Sequence, residues 1–299
     1  MMPSPNNRVL ITGGTGLLAS ELALRFSEAG TAVWAPSHAD LDVADAAATM
    51  AACREWRPSQ IIHAAAMSSV AACEANRRQA WMINVLGTDH MLRAAEAWGA
   101  QLVFISSTGL FAADAPVDET ALPLPATWYH ATKYIAERRV NEYAAHLIIR
   151  TTWLYGGNAE QPRNWIARRV EDLAAAQNPL GIVHNRWGSP TWTRDVADAI
   201  YRLTERSATG VFHVVNAGQV TRYEWLKTVL ELLNVPEDRI RPICEDLSTA
   251  GPGPVPSHES AVSRRLASHG IAMRNWRDAL REYIDSNRAW LLDALIGRG

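Results

Sequence analysis

The sequence lacks the features that mark membrane, secreted and nucleic-acid-binding proteins. It has three cysteines in 299 residues, a formal net charge of -2, and no apolar run long enough to cross a bilayer. The cysteines show no disulfide or metal-ligand spacing, the nine histidines form no paired metal motif, and residues 1–7 lack the apolar core of a signal peptide. We therefore expect a reduced, cytoplasmic protein without a metal site, which binds neither nucleic acid nor a membrane.

Lysine is also scarce. Only Lys133 and Lys227 stand among the 29 basic residues. Such a chain can retain a lysine where the amine itself has a role. A GC-rich genome produces the same bias, so composition alone does not decide between these explanations.

The first half of the sequence alternates short apolar runs with helical patterns. Strands are predicted at residues 8–12, 31–34, 61–66, 102–105 and 147–149. Strands separated by helices of this length predict right-handed crossovers, and therefore an α/β fold with a doubly wound parallel sheet of the Rossmann type.

Two domains follow from this pattern. We expect residues 1–155 to form a dinucleotide-binding core, joined by some later strands, and residues 156–299 to form mainly a small C-terminal substrate-binding lobe. Residues 79–98 are predicted as one long helix. Residues 249–260, rich in Pro, Gly and Ser, are predicted as a mobile loop.

The first predicted strand leads into the glycine-rich segment Thr12-Gly-Gly-Thr-Gly-Leu-Leu-Ala19. Gly13 permits a tight turn, and Gly16 lets a pyrophosphate approach the N-terminus of the next helix, where N–H groups and the helix dipole favour an anion. Ala19 replaces the usual third glycine, and any strand-to-helix turn favours glycine. Because a strand precedes and a helix follows, we interpret the segment as a dinucleotide-binding loop.

The segment after the second predicted strand bears on the choice of cofactor. Residues 34–38 include neither an acid for the ribose hydroxyls of NAD nor an arginine or lysine for the 2′-phosphate of NADP. Because no acidic side chain there would repel the 2′-phosphate, the segment favours NADP, with NAD as the alternative. Asp42 and Val43 follow at a distance that reaches an adenine edge, although Asp42 could instead be a helix N-cap.

Tyr129 and Lys133 stand four residues apart in a predicted helix, so they share one face of it. Tyrosine has an ordinary pKa of about 10, and an adjacent ammonium group lowers it, which makes the phenol a better acid near neutral pH. Ser107 ends the fourth strand, at the edge where open α/β sheets bind ligands, and its hydroxyl could orient a substrate carbonyl. An exposed helix pair and a loop-capping serine are the structural alternatives.

Together these motifs resemble the extended short-chain dehydrogenase/reductase family, which also has the pattern His63-Ala-Ala-Ala66 and Asn84. Within it, the chain is most similar to the dTDP-4-dehydrorhamnose reductases. The stretches that carry this similarity are 41–45, 64–74, 150–156, 188–191, 194–198 and 275–280.

The resemblance implies a role for each matching residue. Ser107, Tyr129 and Lys133 match the catalytic residues, and the last two also contact the cofactor. The other implied cofactor-binding residues are Gly13, Gly16, Leu17, Leu18, Asp42, Val43, Ala64, Ala65 and Ala66.

The implied substrate-binding residues are Thr108, Trp153, Arg186 and Ser189. Trp153 matches a tryptophan that borders the sugar, and Ser189 lies in a loop beside the nucleotide-sugar site. Thr108 stands where the reductases usually have aspartate, Asn185-Arg186 where they often have Asp-Gln, and Val255-Pro256 where they have Arg-Pro. Arg186 could pair with a diphosphate.

The implied function is reduction, by NAD(P)H, of a keto group on a nucleotide-linked deoxysugar. One alternative is a sugar-nucleotide epimerase or dehydratase, although Thr108-Gly109 offers no dehydratase carboxylate. Another is a non-catalytic, NADP-binding regulatory subunit like that of methionine adenosyltransferase. The departures all lie on the substrate side, so the sequence leaves the sugar and its nucleotide undecided. It also leaves open whether the protein forms a homodimer.

Overall fold

The computed structural model describes residues 8–157, 161, 164–245 and 257–296. Its centre is a parallel sheet of six strands in the order β2-β1-β3-β4-β5-β10. These strands are β1 (Arg8–Thr12), β2 (Ala32–Trp34), β3 (Gln60–His63), β4 (Gln101–Ser107), β5 (His146–Thr151) and β10 (Gly210–His213). The predicted doubly wound α/β fold is confirmed.

The strand order reverses between β1 and β3. The chain passes from β1 to its neighbour β2 on one side, and then returns to place β3 on the other side of β1. A crevice opens outside the carboxyl ends of the strands at such a switch point, and ligands bind there in folds of this type. The glycine loop follows β1 and Ala64–Ala66 follow β3, so both segments border the crevice.

Helices cover both faces of the sheet, which is why its strands are continuous apolar runs. Along β1, Val9 and Ile11 enter the core on one face, and Leu10 enters the core on the other. The first core is closed by α1 (Leu17–Glu28) and α8 (Thr193–Thr204), and the second by α2 (Ala46–Trp56), α5 (Gly87–Trp98) and α6 (Trp128–Val140).

The prediction of one continuous α-helix over residues 79–98 is wrong at one turn. The chain forms α3 (Val70–Ala75) and α4 (Arg77–Trp81), then a π-helical turn, Met82–Leu86, before α5 begins. Hydrophobic spacing does not reveal one extra residue in a turn, so the sequence pattern could not show it. Such turns are frequent at functional sites, and this one contains Asn84.

The remaining elements form the C-terminal lobe around a third core that includes Tyr155, Trp225 and Tyr283. Its helices are α7 (Trp165–Ala175), α9 (Arg222–Leu233) and α10 (Trp276–Leu295). Its short strands pair as β6 (Leu154–Tyr155) with β9 (Thr191–Trp192), β7 (Leu180–Val183) with β12 (Ile240–Ile243), and β8 (Trp187–Gly188) with β11 (Val220–Thr221).

Part of the second half of the sequence joins the central sheet. β10 and α8 come from the second half of the sequence but belong to the sheet and its covering layer. The predicted loop at 249–260 lies outside the described residues up to position 256, as do Val255 and Pro256. Within the described ranges, none of the helices is long and apolar enough to cross a bilayer.

Candidate active site

The glycine loop turns tightly between β1 and α1. Gly13 has a φ of 73°, and a Cβ there would lie 3.0 Å from the Cα of Ala65, so glycine alone fits without strain. Gly16 is the N-cap residue of α1, and no side chain in the described ranges caps this helix. Its first turn can therefore offer N–H groups to an anion, with the helix dipole in support. This cradle fits a dinucleotide pyrophosphate.

Gly14 is a requirement that sequence reasoning missed. Its N–H donates to the carbonyl oxygen of Pro36 at 2.8 Å, and a Cβ at this position would lie 2.0 Å from the carbonyl oxygen of Ala35. Gly14 thus lets the loop pack directly on the residues that follow β2. The signal was present in the sequence, because the phosphate-binding pattern explains Gly13 and Gly16 but not Gly14.

Asp42 and Val43 are held in a turn before α2. The N-cap of α2 is Asp45, which accepts from the N–H groups of Ala47 and Ala48, so the reading of Asp42 as the helix cap is wrong. Asp42 instead accepts from the N–H of Ala44 at 2.9 Å. Val43 is buried, and its carbonyl oxygen hydrogen-bonds with the imidazole of His90 at 2.9 Å.

Tyr129 and Lys133 lie on α6, which packs against β4. The Nζ atom of Lys133 is buried 4.0 Å from the centroid of the Phe104 ring in β4. The ring of half-buried Tyr129 lies 5.0 Å from that of His130. His130 in turn covers Gly109, where a Cβ would come within 2.2 Å of its Nε2 atom. The start of α6 is therefore fixed beside the residues that follow Ser107.

Ser107 ends β4 and is largely buried. Its Oγ atom accepts from the N–H of Gly109 at 3.0 Å, so the serine is a loop cap. Accepting this bond leaves its own hydroxyl hydrogen available to a substrate carbonyl oxygen. The structural and functional interpretations of Ser107 are thus compatible.

Burial dominates the electrostatics of Lys133. It lowers the pKa of the ammonium group to about 7, and the carboxylate of Glu137, one turn along α6, opposes this effect. Glu137 is itself buried, forms an ion pair with Arg150 of β5, and accepts from the hydroxyl of Ser106 at 2.8 Å. Lys133 is therefore an amine that can titrate near neutral pH.

Asn84 connects the crevice to α6. Its side chain accepts from the N–H of Met67 at 2.8 Å and donates to the carbonyl oxygen of Met67 at 3.1 Å. The same amide nitrogen donates to the hydroxyl of Thr132 at 3.0 Å. Because Thr132 precedes Lys133, Asn84 fixes α6 relative to the segment that follows β3.

Of the four residues predicted on the substrate side, Thr108, Trp153 and Arg186 all contact Glu259, whereas Ser189 does not. Thr108 is fully buried, and its hydroxyl donates to the carbonyl oxygen of Glu259 at 2.8 Å, so it anchors residues 257–260. Ser189 is also fully buried, and its hydroxyl donates to the carbonyl oxygen of Gly218 at 2.8 Å. Ser189 therefore holds its own loop together, and its position does not support the predicted contact with substrate.

Trp153 is fixed by its surroundings. Its indole N–H donates to the carboxylate of Glu259 at 2.5 Å, and the guanidinium carbon of Arg222 lies 3.4 Å from the centroid of its ring. A Cβ at Gly188 would come within 2.2 Å of the same ring, so only glycine permits this contact. Sequence reasoning missed both Glu259 and Arg222, since neither stands in a recognised motif.

A cavity of about 240 Å³ is lined in part by Arg222 and Glu245. Three guanidinium groups line it, those of Arg169, Arg186 and Arg222, together with the indole of Trp165. Arg186 also pairs with Glu245 at 3.2 Å. Burial, with the neighbouring arginines, lowers the pKa of Arg222 to about 9. The Nε atom of Arg169 is buried without a hydrogen-bond partner among the described residues. These features suit an anion bound next to an aromatic ring.

Comparison with known proteins identifies the family. Residues 7–289 match the RmlD substrate binding domain. The chain belongs to this family. It is 32% identical over 292 residues to the dTDP-4-dehydrorhamnose reductase of Streptomyces griseus, with 94% of each chain covered. The resemblance that the sequence motifs predict is therefore confirmed.

Two further relatives bear on function. The structure of the dTDP-4-dehydrorhamnose reductase of Bacillus anthracis in complex with NADP matches with a TM-score of 0.86 and 28% identity, covering 94% of this chain and 100% of that one. Methionine adenosyltransferase 2 subunit beta of Xenopus tropicalis is 30% identical over 295 residues, covering 93% of this chain and 87% of the relative. Relatives at about this level of identity are therefore named as reductases and as a methionine adenosyltransferase subunit.

Proposed function

We propose that the protein is an NADPH-dependent reductase of a keto group on a nucleotide-linked deoxysugar. The observation that carries the proposal is that α6, which bears Tyr129 and buried Lys133, packs against β4, which ends at Ser107 on the sheet edge that also bears the glycine loop. Relatives named dTDP-4-dehydrorhamnose reductase support the reaction and the sugar class, and the relative that binds NADP supports the cofactor.

The residues divide the chemistry between them. A nicotinamide dinucleotide bound over Gly13–Ala19 would supply the hydride to the carbonyl carbon. The hydroxyl of Ser107 donates a hydrogen bond to the carbonyl oxygen, and Tyr129 transfers its phenolic proton to that oxygen, which completes the alcohol. The ammonium group of Lys133 stabilises the tyrosinate that remains, because it lowers the pKa of the phenol.

The arginine-lined cavity is the proposed site of the nucleotide. Arg169, Arg186 and Arg222 would bind the diphosphate, and Trp165 would contact the base. Trp153, between this cavity and residues 257–260, would border the sugar.

Turnover of dTDP-4-dehydrorhamnose with NADPH tests the proposal directly. Wild-type protein is expected to oxidise one NADPH for each sugar reduced. Tyr129→Phe should retain the fold and NADPH binding but lose at least about 100-fold in kcat, the contribution expected of a positioned acid. Tyr134→Phe, on the same helix, is the matched control and should remain active. An equally active Tyr129→Phe variant would refute the proposed mechanism.

The same assay separates the alternatives. An epimerase would convert the sugar without net consumption of NADPH, and it would retain its cofactor through purification. A regulatory subunit would bind NADP, turn over no keto-sugar, and co-elute with a methionine adenosyltransferase catalytic subunit. The complete set of Ser107, Tyr129 and Lys133 favours an enzyme over the regulatory subunit, and net consumption of NADPH separates the reductase from the epimerase.

A further inference from the structure

His63 is a buried imidazole at the end of β3 that has no part in the proposed chemistry. It is completely buried beneath the crevice, and both ring nitrogens have hydrogen-bond partners. Nδ1 lies 2.8 Å from the hydroxyl oxygen of Thr12 in β1, and Nε2 lies 3.2 Å from that of Thr88 in α5. Its ring therefore links three elements of the core.

The partners fix which ring nitrogen carries the hydrogen. The Thr88 hydroxyl donates to the carbonyl oxygen of Asn84 at 2.7 Å, so the oxygen of Thr88 must accept from Nε2–H of His63. Nδ1 then has a lone pair and accepts from the hydroxyl of Thr12. The oxygen of Thr12 accepts in turn from the N–H of Ala65 at 3.2 Å. One neutral tautomer satisfies every group in this line.

The two ends of this hydrogen-bonded line, Ala65–Thr12–His63–Thr88–Asn84, lie at the candidate active site. Ala65 belongs to the segment against which the glycine loop turns. Asn84 holds Thr132 of α6, the residue before Lys133. The line thus connects the segment that borders the cofactor cradle with the helix that carries Tyr129 and Lys133.

The electrostatic environment keeps His63 neutral. Burial, with the positive charge of nearby Lys133, lowers the pKa of His63 to about 3. The ring of Phe104 lies next to both groups, with its centroid 6.0 Å from that of the imidazole and 4.0 Å from Nζ of Lys133. A neutral imidazole can therefore form the line at pH values well above 3, and it places no second cation beside Lys133.

We infer that His63 is a positioning residue, which as the neutral Nε2–H tautomer fixes α6 and Lys133 relative to the cofactor cradle. This role rests on the proposed reductase function, because it concerns the same site. It predicts two kinds of observation, one on the imidazole itself and one on turnover. The first does not depend on catalysis.

NMR of the full chain labelled with 15N-histidine tests the state of the imidazole. The signal of His63 is expected to be that of a neutral imidazole, with its hydrogen on Nε2, from pH 5 to pH 9. This signal should be missing in His63→Gln, which assigns it. An Nδ1–H tautomer, or titration near the ordinary histidine pKa of about 6.5, would overturn the inference.

Kinetics test the positioning role. His63→Phe keeps an aromatic ring but removes both hydrogen bonds, and we expect kcat to fall about 10- to 100-fold with KM for the nucleotide-linked sugar unchanged. His63→Gln retains a donor for Thr88 and should recover part of the loss. Ile62→Val, a buried change on the same strand that faces the opposite core, is the control for lost stability and should retain kcat.

A double variant distinguishes positioning from a local packing defect. Thr132→Val removes the hydroxyl that accepts from the Asn84 amide, just beyond the Asn84 end of the hydrogen-bonded line. If His63 acts through Asn84, the double variant His63→Phe/Thr132→Val should lose no more kcat than the worse single variant. Losses that multiply, or an equal loss in Ile62→Val, would overturn the role. A wild-type chain without turnover refutes the proposed function, whereas the predicted tautomer in that chain would still support the hydrogen-bonded line.

Discussion

The buried ion pair between Glu137 and Arg150 offers the most informative perturbation, because it affects both stability and Lys133. Both side chains are only 6% exposed. Two nitrogens of Arg150 bond the carboxylate, with Nε 3.0 Å from Oε2, and Ser106 donates to the same oxygen at 2.8 Å. The pair therefore has its hydrogen bonds satisfied, and removing one partner leaves a buried charge without compensation.

Glu137→Gln should destabilise the protein by about 3 to 5 kcal/mol, the usual cost of breaking a buried pair. In a chain of this size that corresponds to a fall in melting temperature of about 6 to 20 °C. The double variant Glu137→Gln/Arg150→Met removes both charges and should recover most of the loss. Asp89→Asn breaks the more exposed pair with Arg139 and should cost about 1 kcal/mol or less.

The same variant should alter the pH dependence of turnover. Glu137 raises the pKa of Lys133, and in Glu137→Gln the unpaired Arg150 would lower it further. The ammonium form needed beside Tyr129 is then lost at lower pH, so the basic limb of the kcat/KM profile should move to lower pH. The double variant should show a smaller displacement. Thermal melts and pH profiles that match wild type in Glu137→Gln would refute the assigned role of the pair.

Three further predictions follow from the site. Arg186→Gln should raise KM for the nucleotide-linked sugar about 10-fold or more, the value of a charge-assisted hydrogen bond, with kcat nearly unchanged. Exposed Arg281→Gln is the control, and equal KM values in the two variants would contradict the proposal that the cavity binds the nucleotide. Lys133→Met should abolish most activity yet stabilise the fold below about pH 7, because folding buries the charge of Lys133 there, as its lowered pKa indicates. The stability of the natural chain should therefore rise between about pH 7 and 10, where Lys133 is charged only in the unfolded chain. Denaturant melts across that range check the sign. The pKa values of His63 and His213 are lowered to about 3 and about 4. Each histidine should therefore cost about 1.4 kcal/mol of stability per pH unit as pH falls from about 6.5 to its pKa in the folded protein, because the unfolded chain alone binds the proton there. A melting temperature that does not respond to acid would contradict this.

Much of the site could be predicted from local sequence because its parts are local. The glycine loop needs a strand before it and a helix after it, and Tyr129 and Lys133 need only three residues of one helix between them. Both patterns are written in consecutive residues. The position of the sheet edge followed as well, because the carboxyl ends of parallel strands share one side of the sheet.

The substrate side was less predictable for a physical reason. Glu259 reaches Trp153 across 106 residues, and Arg222 lies on its indole ring across a separation of 69 positions, so no local pattern marks either residue. Ser189 stood in a motif that resembles a binding loop, yet its hydroxyl turns inward to Gly218. The direction of a side chain in such a loop depends on contacts with distant segments, which a local sequence pattern does not reveal.

The amino-acid order alone determined the alternation of strands and helices, the phosphate cradle and the phenol–amine pair, because these depend on interactions within a few residues. Tertiary structure decided which charges are buried together. It placed Glu137 against Arg150, removed Lys133 from water, and set His63 between Thr12 and Thr88. Those contacts join distant segments, and the low dielectric that makes them strong exists only once the core has closed around them.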